Sequence, residues 1–244
     1  MRPVRRGCSP RNTDFENYEE AKPDLVARLG SYCSYCERRI PTLLEVEHIQ
    51  PKGLPQYRHL EGRWENFLLA CRNCNATKGD KDVELTGILL PDRDNTLSAF
   101  IYSEDGTVSP PPYLLEPQRR RCLATLSLTG LDKAIVETLD ENGKLVALDR
   151  VSQRMEVWGV AEVAKEDILN APGNLPLRRL AVQTALGYGF FSIWFTVFLE
   201  DLDMRNRLID AFAGTRESGC FEVETTAPLS PAPNPDGLPH GGKT

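Results

Sequence analysis

Apolar residues fall at Leu44, Val46 and Ile49 with polar residues between them, and the run stops at Pro51. Alternation closed by a residue that has no amide hydrogen to give predicts a short strand and its end. A second apolar run, Phe67-Leu68-Leu69-Ala70, predicts a partner strand, and the polar stretch from Cys71 to Lys81 suits the start of a helix. Upstream, Pro23 to Leu29 reads as a short helix, with proline at its opening and Gly30 at its end. Downstream, Ala99-Phe100-Ile101-Tyr102, Glu104-Asp105-Gly106 and Val108 suggest a hairpin around a D-G turn. Pro110-Pro111-Pro112 forms a stiff break. Beyond it, Leu114 to about Gly214 reads mainly as helix, with Leu145 to Leu169 and Leu175 to Leu199 the longest stretches. No internal repeat is visible.

These shifts divide the chain into five parts. Residues 1–22 are a basic and polar segment, 23–95 a small α+β module, and 96–112 a hairpin with a proline-rich boundary. Residues 113–215 are expected to form a mainly helical domain. Residues 216–244, rich in Pro, Ser and Gly, are expected to be a disordered tail. The fold class expected is therefore α+β. Leu180 to Leu199 carries no charged residue and has the length of a membrane span. Its interior holds Gln183, Thr184, Gly187, Tyr188, Gly189, Ser192 and Thr196, so a buried helix is the better reading. The opening residues lack the apolar stretch of a signal peptide. A cytoplasmic protein without a membrane partner is the expectation.

Seven cysteines change the picture. Cys33/Cys36 and Cys71/Cys74 form two C-x-x-C pairs, and four thiolates from two places in a chain are what tetrahedral zinc takes. Two disulfides are the competing reading, which fits poorly without a route to an oxidising compartment. Cys8, Cys122 and Cys220 are scattered and read as reduced thiols.

Between the cysteine pairs lie residues suited to phosphodiester hydrolysis. Such a reaction needs a base near neutral pH, and His48 is the side-chain type that supplies one. It also needs a cation to offset charge on the phosphate. The carboxylate of Glu47 and the amide oxygen of Asn75 are hard ligands, fit for Mg²⁺ or Mn²⁺ rather than zinc. Strand alternation sends Glu47 and His48 to opposite faces. Lys78, three residues beyond Asn75 on the same helical face, is a candidate phosphate contact.

Charge refines the expectation about nucleic acid. The net charge is −6, unusual for a nucleic-acid-binding chain. Residues 1–82, however, carry 14 Lys/Arg against 12 Asp/Glu, and the excess of acid lies in the remainder. A locally positive face can still bind phosphate. The acidic balance outside the first 82 residues, together with the uncharged stretch Leu180 to Leu199, suits docking of a protein partner on 113–215 better than a second nucleic-acid site.

From about Ser31 to Val83, the paired knuckles, E-H-I-x-P, W-E-N-F-L and C-x-x-C-N-x-x-K-G resemble the HNH endonucleases, also called ββα-metal nucleases. The resemblance implies a zinc-stapled strand–strand–helix module in which the four cysteines hold structural Zn²⁺. It implies that His48 is the general base, that Glu47 and Asn75 hold a catalytic Mg²⁺ or Mn²⁺, and that Asn66 braces the loop and orients the base. This chain reads H-N-N, a variant found within the family. The implied activity is metal-dependent cleavage of nucleic acid, with DNA the expected substrate. A zinc-stabilised nucleic-acid- or protein-binding module without nuclease activity is the alternative. C-S-Y-C-E followed by E-H-I-x-P-K and a helical C-terminal region also looks like the HNH proteins of Septu-type anti-phage systems, which work beside an ATPase partner.

Overall fold

The computed structural model describes residues 1–134, 142–143 and 149–244. The expected start of the long helix at Leu145 lies outside the described residues.

The first helix, α1 (Lys22–Leu29), opens with proline and closes on Gly30 at φ 75°, as its punctuation predicts. Strands β1 (Glu45–His48) and β2 (Phe67–Ala70) pair antiparallel, with Glu45 opposite Ala70, Glu47 opposite Leu68 and His48 opposite Phe67. Helix α2 (Arg72–Lys78) follows at once. The Cys71 sulfur caps it by accepting the Cys74 amide at 3.4 Å, so the second C-x-x-C pair also starts the helix. The hairpin is β3 (Ile101–Tyr102) against β4 (Val108–Ser109). The helical part comprises α3 (Gln118–Thr129), α4 (Arg150–Asn170), α5 (Leu175–Tyr188), α6 (Phe191–Val197) and α7 (Leu202–Ala211).

The uncharged stretch 180–199 is not one helix. It breaks at Gly189, whose φ is 81° and whose missing Cβ would fall 2.3 Å from the Glu37 carbonyl oxygen. There the chain bridges to Arg38 of the first cysteine pair. Among the described residues no helix is long and apolar enough to cross a membrane.

The helical part and the small module share one apolar core, which runs from Val4 and Phe15 through Phe67 and Trp64 to Phe191, Trp194, Phe212 and Phe221. Polar links tie them further. Glu37, buried, accepts the Ser192 amide and hydroxyl at 2.7 Å each and the Tyr102 hydroxyl at 3.0 Å. Arg38 donates to Gln153 of α4 at 3.1 Å.

Residues 216–244 depart from expectation. They form an ordered, packed segment instead of a disordered tail. Cys220, Phe221, Ala232 and Leu238 are buried, and Phe221 meets the rings of Phe191 and Phe195. Asn95 donates to the carbonyls of both Cys220 and Leu229. Proline-rich composition suggested disorder, but a few well-spaced apolar anchors with backbone partners suffice to hold such a chain.

Candidate functional site

The four sulfurs of Cys33, Cys36, Cys71 and Cys74 lie within 4.8 Å of one another, all buried. All four cysteines are free, which removes the disulfide reading. The Cys36 and Cys71 sulfurs stand 3.8 Å apart, the separation of about 3.8 Å that a tetrahedron with Zn–S near 2.3 Å requires. The donor set and geometry fit zinc. The first pair is pinned to β2, since the Ser34 amide donates to the Leu69 carbonyl at 2.7 Å and the Leu69 amide returns to the Ser34 hydroxyl. Hydrogen bonds from Cys33, Cys36 and Cys74 draw the Cys71 thiol well below its ordinary range, whereas burial pushes Cys33 up. Four sulfur donors converging in one buried cluster suit a tetrahedral cation. Arg150 of α4 approaches from outside the module, its Nη1 3.1 Å from the Cys74 sulfur.

His48 ends β1 with its ring held between Tyr18 and Phe67, both edge-on, at centroid distances of 4.7 and 5.2 Å. Its Nε2 lies 2.9 Å from the Glu61 carbonyl oxygen. A carbonyl can only accept, so Nε2 carries the proton and Nδ1 keeps the lone pair. Burial holds the imidazole below its ordinary pKa, opposed by the Glu61 carbonyl and assisted by the positive charges of Lys52 and Lys78. The ring is therefore neutral at physiological pH and can accept a proton at Nδ1.

Glu47 points to the other face of β1, as alternation requires. It is 1% exposed, and its Oε1 meets the Lys78 ammonium at 2.9 Å and the Tyr35 hydroxyl at 3.3 Å. Burial raises its pKa, while the Lys78 charge works against that shift. Lys78 also donates to the His48 carbonyl at 2.7 Å. Lys78, the candidate phosphate contact, is thus already engaged within the protein. Its place in α2 turns it inward against β1, and it is 2% exposed.

Asn75 extends from the same helix, and its Nδ2 donates to Glu45 Oε2 at 2.7 Å. Asn66 sits one residue before β2 and clamps Gln50 from both sides. Its Oδ1 accepts the Gln50 amide at 2.8 Å and its Nδ2 donates to the Gln50 carbonyl at 2.9 Å. This fixes the turn that leads from Ile49 into Pro51 and Lys52.

Glu45, Glu47 and Asn75 offer two carboxylates and an amide oxygen, a donor chemistry that fits Mg²⁺ or Mn²⁺. Glu47 spends Oε1 on Lys78 and Tyr35, so Oε2 is the oxygen it could offer to such a set. Sequence reasoning missed Glu45, although its position two residues before Glu47 puts it on the same strand face. It also missed Tyr18, Glu61 and Arg150, which come from distant elements and carry no local signal.

Two antiparallel strands, a following helix, a four-cysteine cluster and a histidine closing the first strand define a zinc-type ββα module. Residues 33–81 match the family model described as HNH endonuclease. The match takes in about a fifth of the chain and leaves the helical part outside it. No curated protein matches the chain.

Proposed function

We propose that the protein is an HNH endonuclease that hydrolyses phosphodiester bonds in nucleic acid, DNA being the expected substrate. The observation that carries this reading is the state of His48, a neutral imidazole whose proton is tied to Glu61 and whose Nδ1 is free to accept another. In this reading His48 takes the proton from the attacking water. Asn66 supports the base by holding the Gln50 turn that follows β1. Phe67, opposite His48 in the strand pair, fixes the ring from the other side. The structural Zn²⁺ is assigned to Cys33, Cys36, Cys71 and Cys74. A catalytic Mg²⁺ or Mn²⁺ is assigned to Glu47 and Asn75, with Glu45 beside them. When bound, it would offset the charge that builds on the phosphate and leaving oxygen.

One observation favours the second reading, a zinc-stabilised binding module without nuclease activity. Glu47 already has a cation in Lys78, so the carboxylate assigned to the metal is neutralised within the protein. A plasmid-nicking assay separates the two. Zinc-loaded protein with Mg²⁺ or Mn²⁺ should convert supercoiled to nicked plasmid, and His48→Ala should not. Folded, zinc-loaded protein that binds plasmid but never cuts it would leave the binding module as the function. A role in anti-phage defence beside an ATPase partner extends the proposal, and it rests on the motif resemblance and the helical C-terminal part.

A further inference from the structure

Tyr18 and Lys52 surround His48 from outside its own strand, and Tyr18 also lies outside the matched module. The Tyr18 ring stands against the imidazole with centroids 4.7 Å apart and planes at 75°. The Lys52 ammonium lies 4.0 Å from the centroid of the same ring. Lys52 also meets Glu61 Oε1 at 3.0 Å, and Glu61 is the residue whose carbonyl holds His48 Nε2. The contacts close a ring of four residues: His48, Glu61, Lys52 and Tyr18. The segment carrying Tyr18 is itself strapped to this loop. The Phe15 amide donates to the Gly62 carbonyl, and a Cβ on Gly62 would fall 2.3 Å from the Phe15 carbonyl oxygen.

We propose that Lys52 is the cation that binds the scissile phosphate beside His48, and that Tyr18 is a positioning residue that orders both the imidazole and the Lys52 ammonium. The proposal rests on the nuclease reading and deepens it. Lys78 is buried on Glu47 and the His48 carbonyl, so it cannot meet substrate without breaking those bonds. Arg63 is exposed and pairs with Asp14, whereas Lys52 sits on the Tyr18 ring that stands against His48. Lys52 is partly exposed, follows the turn clamped by Asn66, and its pairing with Glu61 is a surface ion pair. Such a pair contributes little in water and exchanges readily for a phosphate oxygen.

The test uses full-length, zinc-loaded protein with Lys52→Gln, Lys52→Arg, Tyr18→Ala and Tyr18→Phe. Cleavage kinetics on a duplex oligonucleotide should show kcat/KM reduced roughly tenfold or more in Lys52→Gln, as for loss of a charge-stabilising donor. Lys52→Arg should recover most of it. Tyr18→Ala should lower kcat more than it raises KM, and Tyr18→Phe should restore most of the loss. A second arm measures affinity for the same duplex, without added Mg²⁺ or Mn²⁺, against salt concentration. There Lys52→Gln should reduce the slope of log K against log salt by about one. Parental activity with an unchanged Lys52→Gln rate would overturn the proposal and leave the nuclease reading intact. A parent that never cleaves would remove the nuclease reading. The salt slope would then decide alone whether Lys52 meets phosphate, and an unchanged slope would overturn that too.

Discussion

Arg150 of α4 donates to the sulfur of Cys74 at 3.1 Å, and the same guanidinium caps the carbonyls of Thr129 and Gly130 at the end of α3. One buried side chain thus joins the last turn of α3, the start of α4 and the sulfur cluster. Four thiolates around Zn²⁺ leave a net charge of −2, and a buried positive group offsets part of it. The helical part is consequently built onto the cysteine centre, in addition to following it in sequence.

Arg150→Met should therefore speed zinc release to a chelator while leaving the four ligands in place. It should also lower stability by about 1–3 kcal/mol, since two buried carbonyls lose their donor. Arg150→Lys keeps the charge but loses the fork, and should fall between. Chelator-competition rates and thermal melts measure both effects. Release at the parental rate from folded Arg150→Met would remove Arg150 from any role at the metal.

Zinc itself should be present at about one ion per chain in protein purified under reducing conditions. Cys71→Ser removes a ligand while its hydroxyl can still cap α2, and structural zinc in small modules contributes on the order of 10 kcal/mol of folding free energy. Loss of zinc and of the cooperative melt is the expected result. Elemental analysis that finds no zinc in folded parent would refute the assignment.

His48 sets two pH dependences of the same sign. Its pKa is depressed below 6.5 by burial, so its neutral form persists to lower pH in the folded protein than in the unfolded chain. The acid limb of cleavage should then lie below pH 6.5. The stability contribution is complete above 6.5 and is lost as pH falls from there through the folded value, because the folded state resists the proton that the unfolded chain accepts. His48→Ala should cut cleavage by at least ~10²-fold with zinc content unchanged. An acid limb above 6.5 would mean that another group is the base.

Glu47 and Lys78 should behave as a coupled pair. Lys78→Met strands a buried carboxylate and should cost about 3–5 kcal/mol at neutral pH. The double variant Glu47→Gln/Lys78→Met should cost clearly less than the two single changes combined. Glu47 has its pKa raised by burial in the folded state, so its charged form is disfavoured there. Its contribution is most favourable below 4.5 and declines as pH rises from that value through the folded pKa. Urea unfolding of the four proteins at two pH values gives both quantities. Additive losses would mean that the pair is not energetically linked.

Local patterns made the small module legible. Alternation gave β1, an apolar run gave β2, and cysteine spacing gave the metal cluster, because each depends on neighbours within a few residues. Contacts that need distant partners were not legible. Lys78 read as a candidate phosphate contact because nothing nearby in sequence reveals that Glu47 waits beneath it. Arg150, Tyr18 and Glu61 reach the centre across long loops, so no spacing marks them. The packed segment after Gly219 was hidden by composition, which averages over the few apolar anchors that decide its fate.

That segment yields the final test. Phe221 is buried against the rings of Phe191 and Phe195, at centroid distances of 6.1 and 5.4 Å. Farther along, the Lys243 amide donates to Asp94 and its ammonium lies 3.0 Å from the same carboxylate, while the Gly242 amide reaches the Arg93 carbonyl. Asp94 also accepts the Leu90 amide, so these contacts run into the loop that follows the small module. Phe221→Ala should open a cavity in the shared core and cost about 3–5 kcal/mol. Val223, two residues away but 76% exposed, is the internal control, and Val223→Ala should stay within about 0.5 kcal/mol of the parent. Because Phe221 packs on the helical part while that part is tied to the cysteine centre, both halves should melt together in the variant, at a lower temperature. Equal stability of the two variants in urea would mean that residues beyond Gly219 do not pack in solution.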